Sequence, residues 1–300
     1  MFEDIWLIQL DVMEATLDND EVSESRTREY NFTSQDFDRI KKLIYKQAGI
    51  SLSSSKQNMV YSRLAKRLRA KNFDNFGTYL DYLERGDAEE WEAFTNALTT
   101  NLTAFFREQH HFPILQKHVE QRKNNQKIQL WCSASSTGEE PYSMAMAMVQ
   151  AFKTFTPPVH ILATDLDTNV LATAQKGVYS LDRLEKLPKD KLKNFFLKGK
   201  GHNAGSAIVR PELRNLITFR QLNLLDDGWP IRGPFDAIFC RNVMIYFDKP
   251  TQYNILQKFV PLLASDGLLF AGHSESFQHA IDLFKLREKT VYELSKKPGV

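Results

Sequence analysis

From residue 128 onward the apolar residues fall into short strand-like runs: IQLWCSA (128–134), VHILATD (159–165), ITFRQLN (217–223), FDAIFCRN (235–242) and GLLFAGH (267–273). Helical spacing predicts helices over about 139–152, 168–176 and 252–263 between them. A strand followed by a helix and another strand closes as a parallel βαβ unit, and parallel strands buried on both faces need helices above and below. The chain is therefore expected to carry an α/β, Rossmann-like domain over 128–300. Leu283, Leu286 and the VYEL run at 291–294 read as a closing antiparallel hairpin on the sheet edge. One stretch breaks the alternation. Residues 177–216 hold a helix signal near 189–196 and then LKGKGHNAGSAIVR, where Gly199, Gly201 and Gly205 suggest tight turns in a small inserted antiparallel β-subdomain at about 197–215.

The residues ahead of this domain have a different rhythm. Thr33 and Asp36 form a capping-box start, Phe37, Ile40 and Ile44 keep helical spacing, and Gly49 stops the run. Further helices are expected over 56–70, 76–83 and 89–98, so 31–100 reads as an all-α N-terminal domain and 101–127 as the link between the domains. Residues 1–30 carry nine acids against Arg26 and Arg28, a charge of −7, and read as an acidic arm. With a formal net charge of +2, the rest of the chain sums to +9, a surplus suited to an anionic partner but too small to argue for nucleic acid. No apolar run approaches the ~18 residues of a membrane span, and MFEDIW lacks the basic start of a signal peptide, so a cytoplasmic monomer without membrane insertion is expected. Cys132 and Cys240 stand alone and argue against a structural zinc site; no metal is expected.

In open parallel sheets, ligands bind beyond the carboxyl ends of the strands. The first strand runs into Ser133-Ala134-Ser135-Ser136-Thr137-Gly138-Glu139-Glu140, which lacks a GxGxxG fingerprint. Two adjacent glutamates at a helix start oppose a phosphate and suit an ammonium group instead. Asp165 ends the second strand, where an acid can accept both hydrogen bonds of a ribose diol; the plain alternative is a cap on the next helix at Thr168. A phosphate-free nucleoside with a cationic amino-acid tail is S-adenosylmethionine.

NALTTNLTAFFRE (96–108), HHFPIL (110–115), STGEEPYS (136–143), ATDLDT (163–168), FDAIFCRNVMIYFDK (235–249) and LLFAGHSESF (268–277) closely resemble the chemotaxis receptor glutamate methyltransferases, the CheR family, in a similarity running from Phe32 to Ser295. The resemblance implies transfer of a methyl group from S-adenosylmethionine to glutamate side chains of chemotaxis receptors, giving glutamyl methyl esters and S-adenosylhomocysteine. It implies cofactor contacts from Asn101, Thr103 and Arg107, with Arg107 paired to the methionyl carboxylate. Glu139 would receive the amino group, Asp165 the ribose, Asn223 and Leu224 the adenine, and Arg241 and Asn242 would lie beside the methionyl moiety. Tyr246 is the candidate for positioning the acceptor carboxylate, with a buried core tyrosine as the alternative. His110 and His111, adjacent on a helix, and His273 are read as structural.

The 56–70 helix has no acid, and Arg63, Lys66 and Arg67 cluster away from Val60, Leu64 and Leu68, a face that could dock an anionic receptor helix or merely be solvated. The glycine-rich insertion matches a subdomain that in part of the family captures the receptor's carboxyl-terminal peptide, but Lys198 and Ile208 stand at positions that are basic in the peptide-binding members, arginine in the case of Lys198. Two rivals remain: a methyltransferase for nucleic acid or an amine, against which stands CRNVMIYF in place of an Asp/Asn-Pro-Pro-aromatic pattern, and a non-catalytic S-adenosylmethionine or S-adenosylhomocysteine sensor.

Overall fold

The computed structural model describes residues 28–120 and 127–295; residues 1–27, most of the acidic arm, lie outside the described residues. Four helices form the N-terminal domain: α1 (Ser34–Ala48), α2 (Gln57–Lys71), α3 (Phe76–Glu84) and α4 (Ala88–Leu98). Local chemistry sets their ends. Thr33 and Asp36 make the reciprocal capping box, Gly49 closes α1 in the left-handed region at φ 67°, and Asn75 and Asp87 cap α3 and α4 by accepting from Thr78 N–H and Glu90 N–H. Their inner faces, including Ile40, Ile44, Val60, Leu64, Leu68, Phe76, Leu80 and Phe94, make one core.

The α/β domain follows with α5 (His111–Glu120), β1 (Ile128–Cys132), α6 (Glu139–Phe152), β2 (Val159–Asp165) and α7 (Thr168–Lys176). The inserted stretch holds β3 (Val178–Ser180), α8 (Leu181–Leu184), α9 (Lys189–Phe195), β4 (Phe196–Lys198), β5 (Ser206–Val209) and α10 (Pro211–Arg214). The chain ends with β6 (Ile217–Gln221), β7 (Phe235–Cys240), α11 (Lys249–Phe259), β8 (Leu263–Ala271), β9 (Phe284–Glu288) and β10 (Val291–Leu294).

The large sheet runs β6-β2-β1-β7-β8-β10-β9, with the first five strands parallel and β10 and β9 antiparallel at the edge. Alternation along β1 divides the interior: Leu130 and Cys132 face a core shared with α5 and α6, whereas Trp131 faces one built on Ile255, Leu256 and Phe259 of α11. Successive crossovers leave β1 in opposite directions, toward β2 and β6 on one side and β7 and β8 on the other. The crevice at that reversal is where a ligand sits in such a sheet.

Two boundaries differ from the sequence reading. The small sheet, in order β3-β5-β4, takes β3 from ahead of the glycine-rich run, because Tyr179 pairs with Ala207 and buries its ring beneath the first loop. The 101–127 link contains α5, whose Phe112, Leu115 and Val119 enter the sheet core.

Candidate active site

Backbone turns beyond β1 create the crevice. Ser133 N–H donates to the Phe239 carbonyl and Ser135 N–H to that of Thr164, so the loop stays between β2 and β7 past the strand end. Ser136 at φ 46° and Gly138 at φ 99° then turn the chain back so that α6 starts at Glu139. The Glu139 side chain is buried, which pushes its carboxyl pKa up. Thr137 Oγ1 donates to its Oε2 at 2.7 Å. Arg183 Nη2 lies 2.7 Å from Oε1, but off the line of a hydrogen bond, which leaves that buried oxygen without a donor.

Asp165 accepts Ser136 N–H at 2.7 Å and Asp167 N–H at 3.0 Å, one on each oxygen, and burial pushes its pKa up to about 6. The cap on α7 is Asp167, not Asp165. Asp167 also accepts from Thr99 Oγ1 at 2.9 Å and Asn101 Nδ2 at 2.8 Å, while the Asn101 carbonyl accepts from Ser136 Oγ, so Asn101 spans both loops. Thr103 is half-buried two residues on, and Arg107 folds its guanidinium back to the Leu102 carbonyl at 3.2 Å. On the far side, Asn223 Oδ1 accepts Leu225 N–H and Leu224 is buried beside it.

At the β7 end, Arg241 is buried. Its guanidinium lies 3.0 Å from Glu140 and 3.4 Å from Glu108 and donates to the Arg107 carbonyl. Its charge is thus matched inside the protein. Asn242, at φ 57°, donates through Nδ2 to Glu108. Tyr246 is half-buried, and burial pushes its pKa up despite the nearby guanidiniums of Arg107 and Arg63, so it remains a protonated phenol.

The single cationic face expected on α2 is not what the fold builds. Arg63 is turned to the end of α4, donating to the carbonyls of Thr99 at 2.6 Å and Ala97 at 3.3 Å, and Arg67 forks onto the buried Glu90. Both guanidiniums satisfy groups that α4 would otherwise bury unpaired, and of the three only Lys66 is exposed.

Sequence reasoning passed over Glu108, Asp167, Arg183 and Glu275, and used Glu140 only as the second of two adjacent glutamates. All but Arg183 stood inside the quoted motifs; Arg183 stood in the insertion, where no local pattern singles it out. Glu108, His110 and His111 bring ligand-type atoms within 4.8 Å of one another. Burial pulls the His111 pKa down to about 3 and its Nε2 meets Thr290 Oγ1, while the Arg241 guanidinium beside Glu108 opposes a second cation. His273, at the rim, meets Glu108 through Nδ1.

Residues 35–99 match the family model described as CheR methyltransferase, all-alpha domain, and residues 101–293 match CheR methyltransferase, SAM binding domain. The chain belongs to the CheR methyltransferase family. It is 52% identical over 266 residues to chemotaxis protein methyltransferase 2 of Pseudomonas aeruginosa, covering 88% of this chain and 95% of that one. It is also 52% identical over 261 residues to the chemotaxis protein methyltransferase of Salmonella typhimurium, covering 87% and 90%, and 51% identical over 261 residues to that of Escherichia coli, covering 87% and 91%. The fold is the one expected: an all-α domain followed by a Rossmann-like methyltransferase domain with a small antiparallel sheet.

The cofactor of this CheR chain is S-adenosylmethionine, and the crevice fits it. Glu139 Oε1 takes a cationic group, here the half-exposed Arg183 guanidinium at 2.7 Å, and keeps room for a hydrogen-bond donor such as an ammonium, while Asp165, with one backbone donor on each oxygen, keeps acceptor capacity for a diol. Two buried acids and no glycine-rich cradle make the same crevice unsuited to a pyrophosphate.

Proposed function

We propose that this chain is a protein-glutamate O-methyltransferase that converts glutamate side chains of chemotaxis receptors to methyl esters. The observation that carries the reading is the place of Tyr246, half-buried at the β7 end with its carbonyl held by Ser51 N–H of the helical domain and its hydroxyl in the field of Arg63 on α2. A phenol donor with a guanidinium nearby suits an incoming carboxylate. The relatives support chemotaxis as the setting, since each is a chemotaxis protein methyltransferase.

Bound S-adenosylmethionine supplies an electrophilic methyl group. Glu139 and Asp165 hold its amino group and ribose, Asn101 and Thr103 close the crevice from the link, and Asn223 and Leu224 border the adenine. Arg107, whose side chain donates to a carbonyl and meets no acid among the described residues, pairs with the methionyl carboxylate. Asn242 lies beside the methionyl chain, and Arg241 acts from behind by fixing the Arg107 backbone. The acceptor needs no base, because a glutamate with an ordinary pKa of ~4.3 is already ionised at neutral pH. What the protein contributes is alignment and exclusion of water, and Tyr246 donates its hydroxyl proton in a hydrogen bond to the acceptor carboxylate.

Lys66 marks the exposed part of α2 as a docking element for the anionic receptor helix. At the small sheet, β4 is an edge strand carrying Lys198, where a receptor tail could add a strand. Transfer of a labelled methyl group to a purified receptor signalling domain, followed by release of the label in mild base, tests the proposal. Label that resists base would mean an amine or nucleic-acid-type product and would overturn it.

A further inference from the structure

Two loops meet on one buried carboxylate. Glu275, in the turn after β8, is 5% exposed, and its Oε1 accepts the N–H groups of Val243 at 3.0 Å and Met244 at 2.8 Å. Its Oε2 accepts Asn242 N–H at 2.9 Å and the N–H of Gly272. Four donors therefore converge on one side chain, three of them consecutive along the loop after β7. Three successive N–H groups can point at one anion only if the chain curls there, and Asn242 supplies the curl with a left-handed backbone that a non-glycine residue adopts at a cost. This loop is an anion nest filled from within by the protein's own acid.

The residues held this way lead directly into Tyr246. Gln252 Nε2 donates to the carbonyls of Met244 and Phe247, and Ser51 N–H donates to the Tyr246 carbonyl, so the segment is held from three sides. Glu275 engages the backbone of its first half through ionic hydrogen bonds, roughly twice as strong as neutral ones, while Glu108 takes only the Asn242 side chain, at 3.3 Å. Gly272 shows how closely the two loops approach. A Cβ there would lie 2.5 Å from Asn242 Nδ2, 2.8 Å from Glu275 Oε2 and 2.9 Å from Asn242 N.

We propose that Glu275 is a positioning residue for methyl transfer, fixing the 242–246 loop so that the Tyr246 hydroxyl meets the acceptor carboxylate. This rests on the glutamate-methylation reading above. Glu275 touches neither cofactor nor acceptor in this role and acts through the loop.

The test compares wild type with Glu275→Gln, which keeps the shape but turns an amide NH2 toward donors that need an acceptor. Expected are folding by circular dichroism, S-adenosylhomocysteine affinity within about threefold of wild type, and a kcat for receptor methylation lower by about 30-fold with little change in receptor KM, as for an interaction felt mainly in the transition state. In a Tyr246→Phe background the same change should cost less than about threefold, because both substitutions disable one device. Gly272→Ala displaces the same carboxylate from the opposite side and should reproduce the kcat loss, so it decides the matter if the Gln variant does not fold. An unchanged kcat in a folded variant, full additivity with Tyr246→Phe, or failure of both variants to fold would overturn the proposal in favour of a purely structural acid. If wild type itself esterifies no glutamate, it is the function reading that has failed.

Discussion

Asn223 Nδ2 donates to the main-chain carbonyl of Gln47 at 3.0 Å, tying the turn after β6 to the last turn of α1 across the domain seam. The same seam holds Gly49, where a Cβ would lie 3.0 Å from Leu225 and 3.1 Å from Phe247, and Ser51, whose N–H reaches the Tyr246 carbonyl. The helical domain thus braces both the turn assigned to adenine and the loop carrying Tyr246. It thereby bears on the site itself.

Asn223→Asp isolates this brace. It keeps the oxygen that accepts Leu225 N–H but replaces the donor to Gln47 with a carboxylate oxygen facing a carbonyl. Losing this solvent-accessible bond and setting a carboxylate oxygen against a carbonyl costs about 0.5–1.5 kcal/mol. Calorimetry should show S-adenosylhomocysteine binding weakened by about tenfold, with a lowered Tm. Wild-type affinity would mean the turn is held without the helical domain.

The Asp165 pKa of about 6 gives cofactor binding and stability opposite pH trends. An acid whose folded pKa is raised above its ordinary ~3.9 favours the fold when protonated. Its stabilising contribution is therefore complete below about pH 4, is lost as pH rises through about 6, and amounts to roughly 2–3 kcal/mol. Ribose hydroxyls donate best to the ionised form, so S-adenosylhomocysteine affinity should fall by up to tenfold per unit below about pH 6. Titrations at pH 5 and 7.5 check this, and Asp165→Asn should bind weakly at both and lose the slope. A slope that persists in that variant assigns the titration to another group.

How much of this could be read from the chain follows a physical divide. Capping box, left-handed stop and strand alternation are local, so α1, β1, β2 and β7 were legible at Thr33, Gly49 and the VHILATD and FDAIFCRN runs. Asp165 and Glu139 were legible because strand ends in a parallel sheet define the crevice. The partners of Arg241, Arg63 and Arg67 were not, since a guanidinium's orientation depends on which acid or helix end the tertiary fold brings to it, and Glu108, Glu140, Glu90 and the Thr99 carbonyl lie 23 to 133 residues away. Periodicity placed Arg63 and Arg67 on an outer helix face, and the resemblance placed Arg241 beside the methionyl moiety. The fold placed two of them against α4 and one between buried carboxylates.

That placement changes what charge reversal on α2 can report. Glu90 is fully buried and relies on Arg67, with the Tyr79 hydroxyl at 2.9 Å and Lys71 at 3.5 Å in support. Arg67→Glu would leave it facing a second anion and should cost about 3–5 kcal/mol in denaturant unfolding, so a slowed reaction there would reflect a damaged fold. Lys66→Glu should stay within about 0.5 kcal/mol of wild type and still slow receptor methylation at low salt. Unchanged methylation by that variant would remove α2 as the docking element.

Gly138 offers the sharpest link from backbone to chemistry. At φ 99° it occupies a conformation that side chains adopt at a cost of about 1–3 kcal/mol, and its absent Cβ leaves room for Tyr179 Oη at 2.8 Å and Ala174 Cβ at 2.9 Å. The Tyr179 hydroxyl donates to the Thr137 carbonyl at 2.7 Å, and Thr137 in turn donates to Glu139. Gly138→Ala must therefore move the tyrosine, and with it the residue that orients the carboxylate assigned to the cofactor's amino group. Tyr179→Phe removes only the hydroxyl bond and spares the backbone. The alanine variant should lose more than tenfold in S-adenosylhomocysteine affinity along with several degrees of Tm, and the phenylalanine variant only a few-fold with a smaller Tm change. Equal losses would locate the effect in the hydroxyl alone, and wild-type binding by the alanine variant would show that Glu139 is held by something other than this turn.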